Sequence, residues 1–128
     1  MLYTAGGAAA LAGACAWLIA PGRRDREQRA PFMGRNYAHR GLHRIDKSVP
    51  ENSIPAFEAA ARIGYGVELD LHLTRDGEVV VFHDDDLKRL CGADVRVEEL
   101  TLEELRAYRL CGTQYGIPTF KEVLAAID

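Results

Sequence analysis

The sequence has few cysteines and no excess of positive charge. Its three cysteines form an odd set without a C-x-x-C spacing, which argues against a disulfide framework and a structural zinc site. Reduced thiols are the simplest interpretation. A net charge of −3 and a pI near 5.8 provide no global basic field, so nucleic acid is not an expected partner. The sequence also lacks a Gly-rich phosphate loop, a Ser-His-Asp spacing and a context for a nucleophilic cysteine.

The N-terminal segment carries no charge from residue 2 to residue 20. An apolar stretch of about 19 residues is long enough to span a bilayer as a helix. Arginines follow it and no basic residue precedes it, which disfavours a cleaved signal peptide and favours a cytoplasmic remainder. The sequence therefore predicts a transmembrane helix at residues 1–21, a juxtamembrane linker at 22–34, and a membrane protein whose residues 35–128 face the cytoplasm. The alternative is a cleaved or disordered N-terminal tail.

Residues 66–84 contain the densest set of candidate functional side chains. Apolar residues alternate here with Glu68, Asp70 and His72, which places the two carboxylates on one face of a strand. Asp76-Gly77 favours a tight turn and a second apolar run follows, so the segment predicts a β-hairpin that returns His83 close to Glu68 and Asp70. A surface hairpin with a solvated acidic face is the alternative. His72 lies nearer the turn, so a direct role is less favoured for it.

A strand, loop and helix are predicted before this hairpin. Residues 36–39 form a short candidate strand that ends at His39 and Arg40, and residues 42–49 form a polar loop. A helix follows from Ile54, with Asn52 or Ser53 as its N-cap. Because the carboxyl ends of parallel strands face the same side, His39, Arg40, Glu68 and Asp70 are expected to converge there.

Six separated motifs then carry a family resemblance. They are His39-Arg40-Gly41, Pro50-Glu51-Asn52-Ser53, Ala56-Phe57, Glu68-Leu69-Asp70, Thr74 with Asp76-Gly77, and His83-Asp84. In this order and at these spacings, the chain from about Tyr37 onward resembles a glycerophosphodiester phosphodiesterase. Downstream, residues 100–105 and 117–124 also resemble that family and predict two helices, and residues 89–97 predict a connecting loop.

The resemblance implies a fold and a set of site residues. The fold is α/β, the N-terminal part of a TIM (β/α) barrel. His39 and His83 match the family's acid and base, Arg40 matches the residue that holds the phosphate, and Glu68 and Asp70 match ligands of a divalent cation, Ca²⁺ or Mg²⁺. Glu51 would lie near the metal or Arg40. Carboxylates suit such hard cations, histidine titrates near neutral pH and arginine pairs with phosphate, which agrees with these roles.

The implied function is metal-dependent hydrolysis of glycerophosphodiesters to glycerol 3-phosphate and an alcohol, within lipid metabolism. Lysophospholipase D activity on the same site is the related alternative, with a lysophospholipid as substrate. A non-catalytic, membrane-tethered binding module is the alternative of a different class. An eight-stranded barrel takes about 250 residues, so residues 35–128 are interpreted as a truncated domain that is inactive alone. The resemblance implies that a third acidic ligand lies on a later strand of the complete domain.

Overall fold

A computed structural model describes residues 3–19 and 26–127. The chain divides into two compact units, residues 1–34 and 35–128. The first unit contains helix α1 (Tyr3–Ile19), the short helix α2 (Arg26–Arg29) and a 3-10 turn at Ala30–Phe32. The predicted linker is therefore not irregular throughout, because it contains α2 and this turn.

The predicted transmembrane helix is wrong. Within residues 3–19 and 26–127, no helix has both the length and the apolar character that crossing a bilayer requires. Within the described residues helix α1 has 17 residues, and most of them are Ala or Gly, whose small side chains contribute little apolar surface. The membrane localisation that depended on this helix is not supported. The predicted end of this helix at residue 21 and the first linker residues, 22–25, lie outside the described residues.

The second unit begins with a β-α-β arrangement. Strand β1 (Tyr37–His39) pairs in parallel with β2 (Gly66–Glu68), and helix α3 (Ile54–Arg62) lies between them in the chain. In this register His39 is the partner of Glu68. The predicted strand, polar loop and helix are confirmed, and the pairing brings the carboxyl ends of the two strands together.

A β-hairpin follows, as predicted. Strands β3 (Leu71–Leu73) and β4 (Val79–Val81) are antiparallel, with Leu71 opposite Val81. Gly77 has a φ of 82°, which fits the Asp76-Gly77 turn. The predicted strand through residues 66–73 is divided, however, because β2 and β3 belong to separate two-stranded sheets among the described residues. The break falls at Leu69-Asp70.

Helix α3 is formed by a short apolar pattern with a proline in its first turn. Ser53 is the N-cap with an extended backbone, although its hydroxyl donates to the Pro50 carbonyl at 2.6 Å instead of capping the helix. Ala56, Phe57 and Ala60 are buried on one face. The predicted helix is confirmed, and its buried face fixes the preceding Glu51-Asn52 segment against the strands.

Three short helices complete the second unit. They are α4 (Lys88–Cys91), α5 (Leu102–Leu105) and α6 (Phe120–Ile127), with 3-10 turns at Val97–Glu99 and Leu110–Gly112. Thr101 accepts from the Glu104 amide and Glu104 accepts from the Thr101 amide, which forms a capping box at α5. Both predicted downstream helices are confirmed. Residues 89–97 are not simply a loop, because α4 contains Arg89.

The hydrophobic core lies on both sides of β4. Val80 packs into a cluster with Phe82, Leu87 and other side chains, and Val81 packs on the opposite side with Phe57 and Val123. Phe57, Val80, Val81 and Phe82 are fully buried. Leu71 and Leu73 of β3 remain 50% and 60% exposed. Because β4 is buried on both faces, the residues that follow it begin from a rigid support.

Candidate active site

The carboxyl ends of β1 and β2 place a histidine beside a carboxylate. His39 Nδ1 lies 2.9 Å from Glu68 Oε2, across the parallel register that pairs these two residues. A carboxylate only accepts hydrogen bonds, so this contact assigns the proton to Nδ1 and leaves Nε2 outside the pair. Both side chains are largely solvent-accessible, 69% and 46%. A small molecule can therefore reach them.

Arg40 is fixed by its backbone as well as by its side chain. Its φ of 55° is in the left-handed region, and its amide donates to Glu68 Oε2 at 3.0 Å. The carbonyl of Arg40 accepts from the Asn52 amide at 2.9 Å. Its neighbour Gly41 also has positive φ and packs against Ala56 so closely that a Cβ would lie 2.8 Å from Ala56 atoms. The loop that carries Arg40 thus rests directly on α3.

Asp70 lies at the break between β2 and β3 and contacts two donors. Asn52 Nδ2 donates to Asp70 Oδ2 at 2.9 Å, and Arg40 Nε lies 3.3 Å from the same oxygen. This ion pair does not complete a hydrogen bond, since Arg40 Nε is buried without an acceptor among the described residues. Asn52 Oδ1 is likewise buried without a donor in that part of the chain. The site therefore contains one buried donor and one buried acceptor that a ligand can satisfy.

Glu51 lies between two arginines. Arg40 Nη1 donates to Glu51 Oε1 at 2.8 Å, and Arg89 donates to both carboxylate oxygens, at 3.0 and 2.7 Å. Hydrogen bonds from Arg89, and then from Arg40, outweigh burial and lower the pKa of Glu51 to about 2. Glu51 is thus ionised at neutral pH and neutralised by its two partners.

His83 follows the buried strand β4 and pairs with its neighbour. His83 Nδ1 lies 2.6 Å from Asp84 Oδ1, so this histidine too carries its proton on Nδ1. Arg89 Nε donates to Asp84 Oδ2 at 2.6 Å. Arg89 is the largest cause of the lowered pKa of Asp84, and His83 adds to it. Asp84 therefore stays charged and holds the ring of His83.

The remaining candidate side chains are outside these contacts. His72 Nε2 lies 3.2 Å from the His83 carbonyl oxygen, and His43 Nδ1 lies 3.3 Å from the Gly41 carbonyl oxygen.

Burial raises the pKa of the Cys91 thiol to about 11, so this cysteine is protonated at neutral pH and is not a nucleophile.

The contacts join the predicted site residues into one network. In order, it runs through His39, Glu68, Arg40, Glu51, Arg89, Asp84 and His83, with Asp70 and Asn52 attached at Arg40. The sequence reasoning named six of these residues as site residues. It assigned no role in the site to Asp84 or Asn52, although both belong to the motifs named above, and it placed Arg89 in a loop. The one sequence feature that could have indicated the contact of Arg89 with Asp84 is their spacing of five positions.

A cleft of about 140 Å³ adjoins the network. Glu51 and Arg89 line it on one side, and the polar loop supplies His43, Arg44 and Lys47. The lining of the cleft therefore includes the basic side chains of Arg44, Lys47 and Arg89 and one carboxylate, that of Glu51.

The carboxylates fit a hard cation in kind. In the contacts above, Glu68 and Asp70 each use only one carboxylate oxygen, so each has a second oxygen for a metal ion. The buried Asn52 Oδ1 is a further oxygen of the kind that such a cation binds. In residues 3–19 and 26–127, no group of three or more His, Cys, Asp or Glu side chains forms a complete metal site. Because Ca²⁺ takes six to eight oxygen ligands and Mg²⁺ about six, these residues would supply part of a coordination shell.

Residues 39–128 match the model of the glycerophosphoryl diester phosphodiesterase family. The chain belongs to that family. A glycerophosphodiester phosphodiesterase of Caldanaerobacter subterraneus is 41% identical over 98 residues, covering 70% of this chain and 39% of the relative. A lysophospholipase D of Rattus norvegicus is 40% identical over 108 residues, covering 74% of this chain and 33% of the relative. The chain thus spans between a third and two fifths of these relatives' length.

Solved structures agree with this assignment. A glycerophosphodiester phosphodiesterase from Thermotoga maritima has a TM-score of 0.61 at 41% identity, covering 72% of this chain and 38% of that one. An Oleispira antarctica phosphodiesterase, solved with its product sn-glycerol-3-phosphate, has a TM-score of 0.67 at 32% identity and covers 77% of this chain and 41% of that one. The fold of residues 35–128 is therefore the N-terminal part of this family's fold.

Proposed function

We propose that this protein hydrolyses glycerophosphodiesters to glycerol 3-phosphate and an alcohol, with the help of a divalent cation. The observation that carries the proposal is the pair of histidines, His39 and His83, each held at Nδ1 by a carboxylate and joined through Arg40. The family membership and the product bound to the Oleispira antarctica relative support the substrate class.

The two histidines would perform the proton transfers. With Nδ1 protonated and bonded to Glu68 or Asp84, each ring presents Nε2 to the substrate. One Nε2 takes a proton from the attacking water as its oxygen bonds to phosphorus, and the other, in a protonated ring, gives a proton to the alkoxide oxygen as its bond to phosphorus breaks. Each such transfer contributes on the order of 10²-fold or more to the rate.

Arg40 would hold the phosphate. Its buried Nε lacks an acceptor among the described residues, and a phosphate oxygen would satisfy it with a charge-assisted hydrogen bond. Glu68 and Asp70 would hold the cation, which would neutralise charge on the phosphodiester. Ca²⁺ and Mg²⁺ both fit oxygen ligands of this kind.

Lysophospholipase D activity is the second candidate function. It is supported by the 40% identity to the Rattus norvegicus lysophospholipase D. The same residues would act on a lysophospholipid, and the difference would lie in how the alcohol portion is accommodated.

The test is release of glycerol 3-phosphate or of lysophosphatidic acid. Glycerophosphocholine, glycerophosphoethanolamine and a lysophospholipid are assayed with Ca²⁺, Mg²⁺ or EDTA, in this chain and in a version extended along its reading frame. We expect cation-dependent release that falls at least about 100-fold in His39→Gln and His83→Gln. Arg106→Gln, which removes a surface ion pair with Glu122 at 3.0 Å, is the control and should stay near the wild-type rate. Undiminished turnover in both histidine variants would refute the proposal.

A further inference from the structure

Arg89 is the second residue of α4 and connects two carboxylates from distant parts of the chain. Its guanidinium donates to Glu51 at 3.0 and 2.7 Å and to Asp84 at 2.6 and 3.0 Å. The Arg89 side chain is 45% exposed, whereas the side chains of Glu51 and Asp84 are only 15% and 22% exposed. The arginine therefore covers two shielded carboxylates from the solvent side.

Each of these carboxylates has a second partner in the proposed site. Asp84 holds His83 Nδ1 at 2.6 Å, and Glu51 accepts from Arg40 Nη1 at 2.8 Å. An arginine has a planar fork with five donors, so it can contact both carboxylates through paired hydrogen bonds. Lysine has the charge but not this geometry.

We infer that Arg89 is a positioning residue that orients His83 through Asp84 and Arg40 through Glu51. The expected effect of Arg89 on turnover rests on the proposed function. Its expected effect on the orientation of His83 and Arg40 does not. Arg89 touches neither the proposed cation ligands nor the reacting atoms in any contact described above. Its role is to keep the acid-base group and the phosphate-binding group in one fixed arrangement.

The first experiment measures the tautomer of His83 in the 128-residue chain. The ¹⁵N shifts of its two ring nitrogens, recorded where the ring is neutral, report which nitrogen carries the proton. We expect the Nδ1-protonated form to dominate in the wild type and its ratio to the Nε2-protonated form to fall severalfold in Arg89→Gln. The ¹⁵N and ¹H shifts of Arg40 Nε should change in the same variant. An unchanged tautomer ratio in folded Arg89→Gln overturns the inference.

Two further variants sharpen the test. Arg106→Gln removes another arginine from a surface ion pair, with Glu122 at 3.0 Å and a similar side-chain exposure of 54%, and should leave the His83 ratio unchanged. Arg89→Lys should give an intermediate ratio. If Arg89→Gln does not fold, Arg89→Lys decides the question, and a wild-type ratio in it overturns the inference.

The second experiment measures turnover in whichever of the two forms, this chain or its extended version, releases glycerol 3-phosphate. Arg89→Gln should lower kcat on the order of 10- to 100-fold, as expected for a group that orients reacting side chains, and Arg89→Lys should recover part of the loss. Wild-type kcat in Arg89→Gln would contradict the inference. Failure of the wild type to act on any substrate would remove the proposed function instead, and the tautomer ratio would still decide the role of Arg89.

Discussion

Glu51 and Arg89 are 38 positions apart in the sequence, and two hydrogen bonds of 3.0 and 2.7 Å join them. Because Arg40 contacts the same carboxylate, Glu51 carries its negative charge between two positive ones. Its pKa of about 2, against an ordinary 4.5, follows mainly from Arg89.

The first prediction concerns stability against pH. A carboxyl group with a lowered folded-state pKa contributes stability that is fully present above its unfolded pKa and is lost as the pH falls through its folded pKa. The window for Glu51 is therefore from 4.5 down to about 2. We expect the difference in free energy of unfolding between the wild type and Glu51→Gln to be largest above about pH 5 and to shrink toward pH 2. Denaturant titrations across this range measure it, and a difference independent of pH would contradict the assignment.

The second prediction concerns Asn52 and the cation. Asn52 has a φ of 53° and donates to Asp70, so Asn52→Gly removes the hydrogen bond while keeping a residue that tolerates this backbone. We expect the Ca²⁺ or Mg²⁺ concentration for half-maximal activity to rise about 10- to 100-fold. Lys47→Gly is the control, since Lys47 also has positive φ, 63°, but is exposed in the polar loop. An equal response of the two variants would exclude a specific effect on Asp70.

The third prediction concerns the contact of Gly41 with α3. In Gly41→Ala the new Cβ would lie 2.8 Å from the carbonyl carbon and Cβ of Ala56, in addition to the cost of positive φ. We expect a loss of about 3 kcal/mol in the free energy of unfolding. Gly77→Ala has the same class of backbone and open space around it, so it should lose only about 1 kcal/mol. Chemical unfolding of both variants provides the comparison, and equal losses would mean that the close packing at Gly41 has no energetic weight.

The fourth prediction concerns the core beneath the site. Phe57 is fully buried and packs with Val81 and Val123, so Phe57→Ala should cost about 3–5 kcal/mol. Ile45 is 100% exposed in the loop, and Ile45→Ala should change the free energy of unfolding by less than about 0.5 kcal/mol. Thermal and denaturant unfolding measure both. A small loss of unfolding free energy in Phe57→Ala would mean that the cluster around Phe57 is not the main stabilising core.

Local patterns predicted the hairpin. Alternation before Asp76-Gly77 and the continuous apolar run after it predicted the two paired strands, and the Phe82 amide donates to the Asp70 carbonyl at 3.0 Å. The convergence of His39 on Glu68 also follows from a general property of parallel strands. These parts of the fold could be predicted because neighbouring residues determine them.

Other features could not be predicted in the same way. The contact of Arg89 with Glu51 depends on how α4 packs, and no periodicity in the sequence records it. Leu71 and Leu73 were expected on an apolar face, yet they are half exposed or more, because alternation gives the side of a strand but not what covers it. The absence of charge in residues 2–20 suggested a membrane span, but no helix in the described part of the chain, residues 3–19 and 26–127, has the length and apolar character that a span requires.

The pairing of Arg40 with Glu51 and Asp70 also bears on ionic strength. Arg40 already faces two carboxylates before any ligand is present, so an arriving phosphodiester would meet a cation that is already paired and not an isolated one. Dissolved salt weakens long-range attraction between exposed charges far more than it weakens short contacts in a shielded site. Capture of the substrate by this arginine should therefore depend only weakly on salt concentration, and recognition would come from fit at close range.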